Sequence, residues 1–276
     1  HSAGYVVSQN LIIWSGWTST VIPRPEPGIL RETVKKYRPD FLPGVASIFV
    51  GLLADPEFRK MDLSFIRGFF TGAAPISTDT VRDLKQLTGK DVYDNYGMTE
   101  NVAFATGMPW GGKRKTGTVG VPFPGTDVKI VDLERGKTEM KPGEPGEICI
   151  KGPQVMSGYY NRPDETAQAI REGWLYTGDI GVMDEEGHLS IVDRKKDLIV
   201  SGGYNIYPKE IDEVLFQHEK ILEACTIGVP DAYRGESVKA YVVLRPGMQM
   251  TADEVITYCR GQLAAYKAPR AVAFID

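Results

Sequence analysis

The sequence predicts an α/β protein: a parallel-sheet unit that carries a barrel-like layer of short strands, followed by a small α+β unit at the C-terminal end. Three observations predict it. Helical and strand patterns alternate from Gly28 to Gly97, short alternating strands replace them between Gly117 and Val192, and a third pattern begins beyond the charge run Asp193-Arg194-Lys195-Lys196-Asp197. Alternation of strand and helix means βαβ units and a parallel sheet, whose ligands bind at loops beyond the carboxyl ends of the strands.

In the first region the spacing predicts a helix over 29–37, an apolar helix over 45–54 and a strand over 66–71. A further helix follows, with Ser77 as N-cap and Val81 and Leu84 inward, and then a strand over 92–95. The loops that matter most are therefore Thr71-Gly72-Ala73-Ala74-Pro75 and Tyr96-Gly97-Met98-Thr99-Glu100. In the middle region, Val128/Ile130, Ile148/Ile150 and the pair flanking Asp184-Glu185-Glu186-Gly187 read as antiparallel strands between Gly and Pro turns. Beyond the charge run come a Gly-Gly loop and a helix from Pro208 with Ile211, Val214, Leu215 and His218 on one face. Strands near Cys225 and Ala240, a capping-box helix from Thr251 with Glu254 three residues on, and a strand over 271–275 complete the chain. The charge run is read as a linker, dividing residues 1–195 from a small, incomplete unit of 196–276.

The 276 residues suit one or two domains at about 150 residues each, long enough to bury a real core. A net charge of −4 with 42% hydrophobic and 25% charged residues excludes collagen-like, disordered and strongly basic nucleic-acid-binding classes. The longest nearly apolar stretch, residues 44–54, is too short to cross a bilayer, and the N-terminus has no basic-then-apolar signal pattern, so a cytoplasmic protein is expected. Cys149, Cys225 and Cys259 form no C-x-x-C pair, which argues against a disulfide scaffold and a zinc site. Ile256, Cys259 and Leu263 share helical spacing, so Cys259 is expected to pack inside. His1, His188 and His218 are too scattered along the chain to suggest a metal cluster.

Three segments could carry chemistry. Gly72-Ala73-Ala74-Pro75 makes a tight turn that lets a ligand approach the backbone, or an ordinary loop. Tyr96-Gly97-Met98-Thr99-Glu100 places a ring for stacking, a hydroxyl for a phosphate oxygen and a carboxylate for Mg²⁺ within five residues, or it is a polar strand exit. Tyr176-Thr177-Gly178-Asp179 puts a carboxylate after a glycine turn, suited to a ribose diol, or it is an Asx-type turn.

Further along stand Gly146-Glu147-Ile148-Cys149-Ile150-Lys151-Gly152, Gly158-Tyr159-Tyr160, Gly173-Trp174-Leu175 and Asp193-Arg194-Lys195-Lys196-Asp197-Leu198-Ile199. Ser201-Gly202-Gly203-Tyr204-Asn205-Ile206 and Pro208-Lys209-Glu210-Ile211-Asp212 follow. In this order the set closely resembles the adenylate-forming superfamily of acyl-CoA synthetases, peptide adenylation domains and firefly luciferase, over essentially the whole chain.

The resemblance implies a two-step ligase using ATP, Mg²⁺ and CoA: a carboxylate and ATP give an acyl-adenylate and pyrophosphate, and a thiol then attacks the mixed anhydride. It implies that Gly72, Ala73 and Ala74 border the adenine, Asn95 and Tyr96 contact the base, Thr99 holds phosphate oxygens and Glu100 ligates the metal. Asp179 would accept from the ribose hydroxyls with Arg194 nearby. His1, Gly97 and the Thr118-Val119-Gly120 turn would line the acyl pocket, Lys196 would be the hinge of the small domain, and Gly202-Gly203 would line the CoA tunnel. Bringing a carboxylate to a phosphate opposes two anions, so such chemistry asks for a metal, phosphate donors and positioning more than for a general base. Two features of the superfamily, a phosphate loop ending in lysine and a C-terminal catalytic lysine, are expected outside the 276 residues, so the chain is read as an internal-to-C-terminal piece of a longer ligase and as inactive alone. Within the superfamily the Gly202–Pro208 and Thr177–Ile180 stretches look more like fatty-acyl and aryl CoA synthetases than peptide adenylation domains, and the resemblance implies a medium- or long-chain fatty acid as the carboxylate. An aryl-CoA ligase and a nucleotide-binding remnant without catalysis stay open.

Overall fold

The computed structural model describes residues 2–74 and 76–275, and only the backbone of Ala3. Strands β1 (Phe41–Pro43), β2 (Gly68–Gly72) and β3 (Val92–Tyr96) pair in parallel, and β4 (Thr106–Gly107) and β5 (Val121–Pro122) extend the sheet antiparallel in the order β1-β2-β3-β4-β5. Helices Pro27–Tyr37, Ala46–Ala54 and Thr78–Thr88 pack on one face. Phe49, Leu52, Phe58, Ile66, Phe69 and Leu84 are fully buried there, which is what fixes the sheet against its helices. Ser77 starts the last of these helices, its Oγ accepting the Thr80 N–H at 3.1 Å, and Gly89 at φ +70° ends it.

The opposite face of β1–β3 carries Phe70 and Tyr93, stacked with Trp110, and Phe41, which meets Trp110 edge-on; the Trp110 ring centroid is 4.6 Å from that of Tyr93. Trp110 is half exposed. Residues 2–15 form a helix with no strong sequence signature, π-helical over Val6–Leu11, with Ile13 and Trp14 largely exposed.

The middle region folds as expected into antiparallel strands, in an open sheet rather than a closed barrel. Its order is β10-β9-β7-β6, from β6 (Asp127–Val131), β7 (Gly146–Lys151), β9 (Trp174–Met183) and β10 (Leu189–Arg194), with β8 (Ile170–Arg171) on β9. Ile130, Ile148, Ile150 and Leu189 pack against Tyr96 and Ala105 of the first sheet. The two sheets are also joined by main chain: Val119 N–H donates to Leu189 O at 2.7 Å and Leu189 N–H to Gly120 O at 2.8 Å.

The last sheet, β12-β11-β14-β13 with β15 on β14, contains β11 (Ile199–Ser201), β12 (Tyr204–Ile206), β13 (Ile221–Asp231), β14 (Gly235–Leu244) and β15 (Ala271–Phe274). Helices Pro208–Phe216 and Ala252–Gln262 cover it, burying Ile211, Leu215, Val255 and Cys259. The inward stripe of the second helix runs through Val255 and Cys259, with Ile256 and Leu263 at its margin. Thr251 and Glu254 make the reciprocal capping box, at 3.2 and 2.7 Å.

Candidate active site

A cleft of about 1590 Å³ opens where the carboxyl ends of β2 and β3 meet β9, β10 and one side of helix Pro208–Phe216, from Lys209 to Phe216. Ala73, Ala74, Asn95, Tyr96, Gly97, Thr118, Val119, Asp179, Arg194 and Lys196, all singled out from the sequence, line it. That convergence is the consequence of topology. In a parallel sheet every strand delivers its following loop to the same edge.

Asp179 lies at the centre of the polar wall. Tyr96 OH donates to its Oδ2 at 2.7 Å, and Arg194 Nε lies 3.7 Å from its Oδ1 because Arg194 and Asp179 are cross-strand partners. Burial pushes the Asp179 carboxyl above its ordinary range while the tyrosine hydroxyl and the guanidinium pull it back. Burial, with the Asp179 charge behind it, also pushes the Tyr96 phenol well up, so its hydroxyl stays a donor at neutral pH.

Asn95 is turned the other way. Its amide Nδ2 donates to Thr71 O and Tyr93 O, both at 3.0 Å, so the side chain ties β2 to β3. Ala73 follows β2 at φ +67°, a conformation alanine rarely adopts, which sets the Gly72–Ala74 loop into the mouth of the cleft. Gly97 and Gly120 are demanded by close backbone crossings: a Cβ on either would run into the carbonyl of Ala103 or Gly107.

Thr99 and Glu100 start a short turn just beyond Tyr96. Thr99 Oγ1 is 3.4 Å from Ser2 Oγ, and Tyr159 of the Gly158-Tyr159-Tyr160 segment donates its hydroxyl to Glu100 Oε1 at 2.8 Å. Burial and then Glu100 push that phenol up to about 12. Glu100 and Thr99 offer hard oxygen donors beside the cleft, a set that fits Mg²⁺ shared with phosphate oxygens. Gly202 and Gly203, at φ +58° and +83°, form the two-residue turn between β11 and β12 and do not line the cleft. His1 lies outside the described residues.

Two functional candidates escaped the sequence reading as individuals. Glu147, only 5% exposed, receives Lys195 Nζ on Oε2 at 2.6 Å and the Gly178 N–H on Oε1 at 3.2 Å, bracing the charged linker against the Thr177-Gly178-Asp179 turn. Its segment was quoted, yet nothing local announces a partner 48 residues on. Asp94, on β3 two residues before Tyr96, faces the cleft, and burial pushes its carboxyl up to about 6 despite the attraction of Lys209. Lys209 also donates its N–H to Asp193 Oδ2 at 2.9 Å and its Nζ to Ile191 O at 3.0 Å, so the linker is held from both sides. Lys196 itself is exposed in the short turn Lys195–Asp197 and makes no side-chain hydrogen bond or ion pair among the described residues.

An open cleft at the strand ends of an α/β sheet, lined by a half-buried carboxylate, a buried tyrosine and a charged linker, is the kind of place at which α/β proteins bind small ligands. The chain belongs to the AMP-binding enzyme family: the family model matches residues 1–160 and the model of its C-terminal domain matches 210–276. It is 42% identical over 274 residues to a long-chain-fatty-acid–CoA ligase of Bacillus subtilis, covering 99% of this chain and 49% of that protein. A ligase of the same description from Escherichia coli O6:H1 is 41% identical, with 97% and 46% covered. The chain thus spans about half the length of the curated relatives it matches. Among solved structures, ATP-bound MatB from Rhodopseudomonas palustris superposes with a TM-score of 0.94 at 36% identity, over 100% of this chain and 54% of that one. Apo MatB gives 0.77 at 35% identity. The o-succinylbenzoate CoA synthetase of Bacillus subtilis, in complex with its acyl-adenylate, gives 0.89 at 32% identity, over 100% and 55%.

Proposed function

We propose that the longer protein to which these residues correspond is an ATP-dependent acid–thiol ligase, activating a medium- or long-chain fatty carboxylate as the acyl-adenylate and transferring it to CoA. The observation that carries this is the Asp179–Tyr96–Arg194 cluster in a cleft that Ala73 and Ala74 also line. Asp179 accepts from the ribose hydroxyls, the Tyr96 ring stacks on the base, and Thr99 holds phosphate oxygens. Glu100 would hold Mg²⁺, which when bound supplies charge neutralisation at the phosphates. In the first step a carboxylate oxygen bonds to the α-phosphorus and pyrophosphate leaves; in the second the CoA sulfur bonds to the acyl carbon and AMP leaves. Thr118 and Val119 line the acyl side, with Gly97 and Gly120 setting the backbone there. Residues 1–195 and 196–276 move as two units about Lys196, and in one of their arrangements Gly202 and Gly203 border the CoA path. A cytoplasmic setting suits enzymes that draw on ATP and CoA.

The choice of a fatty acid is supported by the relatives named as long-chain-fatty-acid–CoA ligases. ATP–pyrophosphate exchange by the longer protein, with acids from acetate to palmitate and with benzoate, tests it. Exchange is expected to peak with medium or long alkyl chains. A maximum with benzoate moves the assignment to aryl-CoA ligases, and AMP binding without exchange for any acid replaces catalysis by nucleotide binding alone. The 276 residues by themselves are expected to give no exchange.

A further inference from the structure

We propose that the tip of the β9–β10 hairpin binds a divalent transition-metal cation of the zinc type through Asp184, Glu186 and His188, away from the cleft chemistry. One ligand atom from each residue lies within 4.8 Å of the others. The hairpin tip brings the His188 ring to a pair of carboxylates, the one such group among the described residues.

The ring of His188 points to the ligand. It is 5% exposed, and its Nδ1 has no hydrogen-bond partner while lying 3.8 Å from Asp184 Oδ1. Its Nε2 is 3.4 Å from the carbonyl oxygen of Lys113, which only an N–H can satisfy. That assigns the proton to Nε2 and leaves Nδ1 as a buried lone pair turned toward carboxylate oxygen. A buried, unpartnered lone pair beside carboxylate oxygens is an arrangement that a cation resolves, and an imidazole steered by a backbone carbonyl on its other nitrogen is oriented as metal-ligating histidines are.

The carboxylates are held ready. Asp184 Oδ1 accepts the N–H groups of Glu186 and His188, each at 2.9 Å, which fixes the turn. Lys115 Nζ sits 2.6 Å from Asp184 Oδ2 and 2.7 Å from Glu186 Oε2, and Lys113 Nζ reaches Glu186 Oε1. These ammonium groups neutralise the oxygens but leave Nδ1 unpartnered, whereas one divalent ion would serve all three residues. One imidazole with two carboxylates suits Zn²⁺, Ni²⁺ or Cu²⁺ better than the oxygen-seeking Mg²⁺. Bonds of about 2.1 Å need ligand atoms about 3.4 Å apart, so the tip must close by roughly an ångström. The exposed Glu186 side chain can supply that movement. Lys115 is the competitor that must leave, and its segment continues into Thr116–Val119 of the cleft wall.

Calorimetric titration of the longer protein with ZnCl₂ in a non-coordinating buffer tests the site. One saturable site in the micromolar range is expected, weakened at least about thirtyfold in His188→Gln and tightened about tenfold in Lys115→Met, where the competing ammonium is gone. Because His188→Gln alters a buried position, Co²⁺ added to the unsubstituted chain gives an independent reading: paramagnetic broadening is expected at the His188 ring protons before those of His218. No saturable zinc binding, equal affinity in folded His188→Gln, or broadening at His218 alone overturns the proposal.

Discussion

Asp179 carries two demands at one carboxylate: it accepts the Tyr96 hydroxyl at 2.7 Å within the protein and, as proposed, the ribose hydroxyls of the nucleotide. Asp179→Ala removes two charge-assisted hydrogen bonds to the ligand, on the order of 3 kcal/mol, so ATP affinity of the longer enzyme should fall more than about a hundredfold by calorimetry. Near-normal affinity removes the ribose assignment. Asp94 makes a different prediction, about pH. Its carboxyl ionises at about 6 in the fold against an ordinary 3.8, so the unfolded chain gives up the proton first as pH rises from about 4 to 6, and stability falls across that window before levelling. Asp94→Asn should flatten this share of the fall and gain about 1 kcal/mol at about pH 8, read as the change in urea midpoint between about pH 3.5 and about pH 8, on either side of the window. A variant with the wild-type pH dependence sinks the assignment. Asp179, Tyr96 and Arg194 were legible because each sits in a short motif whose residue types match its chemistry. Asp94 and Glu147 were not, since what singles them out is burial by neighbours from other elements. Asn95 shows the converse, a polar residue in the right motif whose amide is spent on strand carbonyls.

At the scale of elements, the linker Asp193–Asp197 is where a charge run turns out to contain two different kinds of lysine. Lys195 is paired with the buried Glu147, and Lys196 has no side-chain partner among the described residues. Removing Lys195 strands a carboxylate that is out of water, which costs more than the pair contributes; with the lysine itself partly exposed, Lys195→Met should destabilise by about 2 kcal/mol. Lys196→Met should change stability by less than about 0.5 kcal/mol. Equal denaturant midpoints for the two variants contradict the distinction. The elements with a strong period or cap were read close to their limits, as with the helix after Ser77 and the helix after Thr251, because local hydrogen bonds decide where they start. The helical stretch at 2–15 and the openness of the middle sheet were not. Both depend on what packs beside them, and β6 and β10 lie at opposite ends of the sheet order without pairing with each other.

For the whole molecule, the proposal that residues 1–195 and 196–276 turn about Lys196 has its own test, with the present arrangement taken as the adenylating one. In it Lys196 lies in a 3₁₀ turn, whose φ of about −50° to −70° proline can adopt. Lys196→Pro fixes φ near −65°, which the first turn of a helix tolerates, so a rotation that needs a large φ change at this point is penalised more than the starting arrangement. In the longer enzyme, pyrophosphate exchange should therefore stay within a few-fold, and thioester formation from preformed adenylate should fall by about a hundredfold, on the order of 3 kcal/mol in the second barrier. A lysine that is only part of a solvated charge run predicts that both half-reactions change together or hardly at all. Measuring exchange and CoA-dependent product formation separately decides it: equal effects on both half-reactions mean that the molecule does not turn about Lys196.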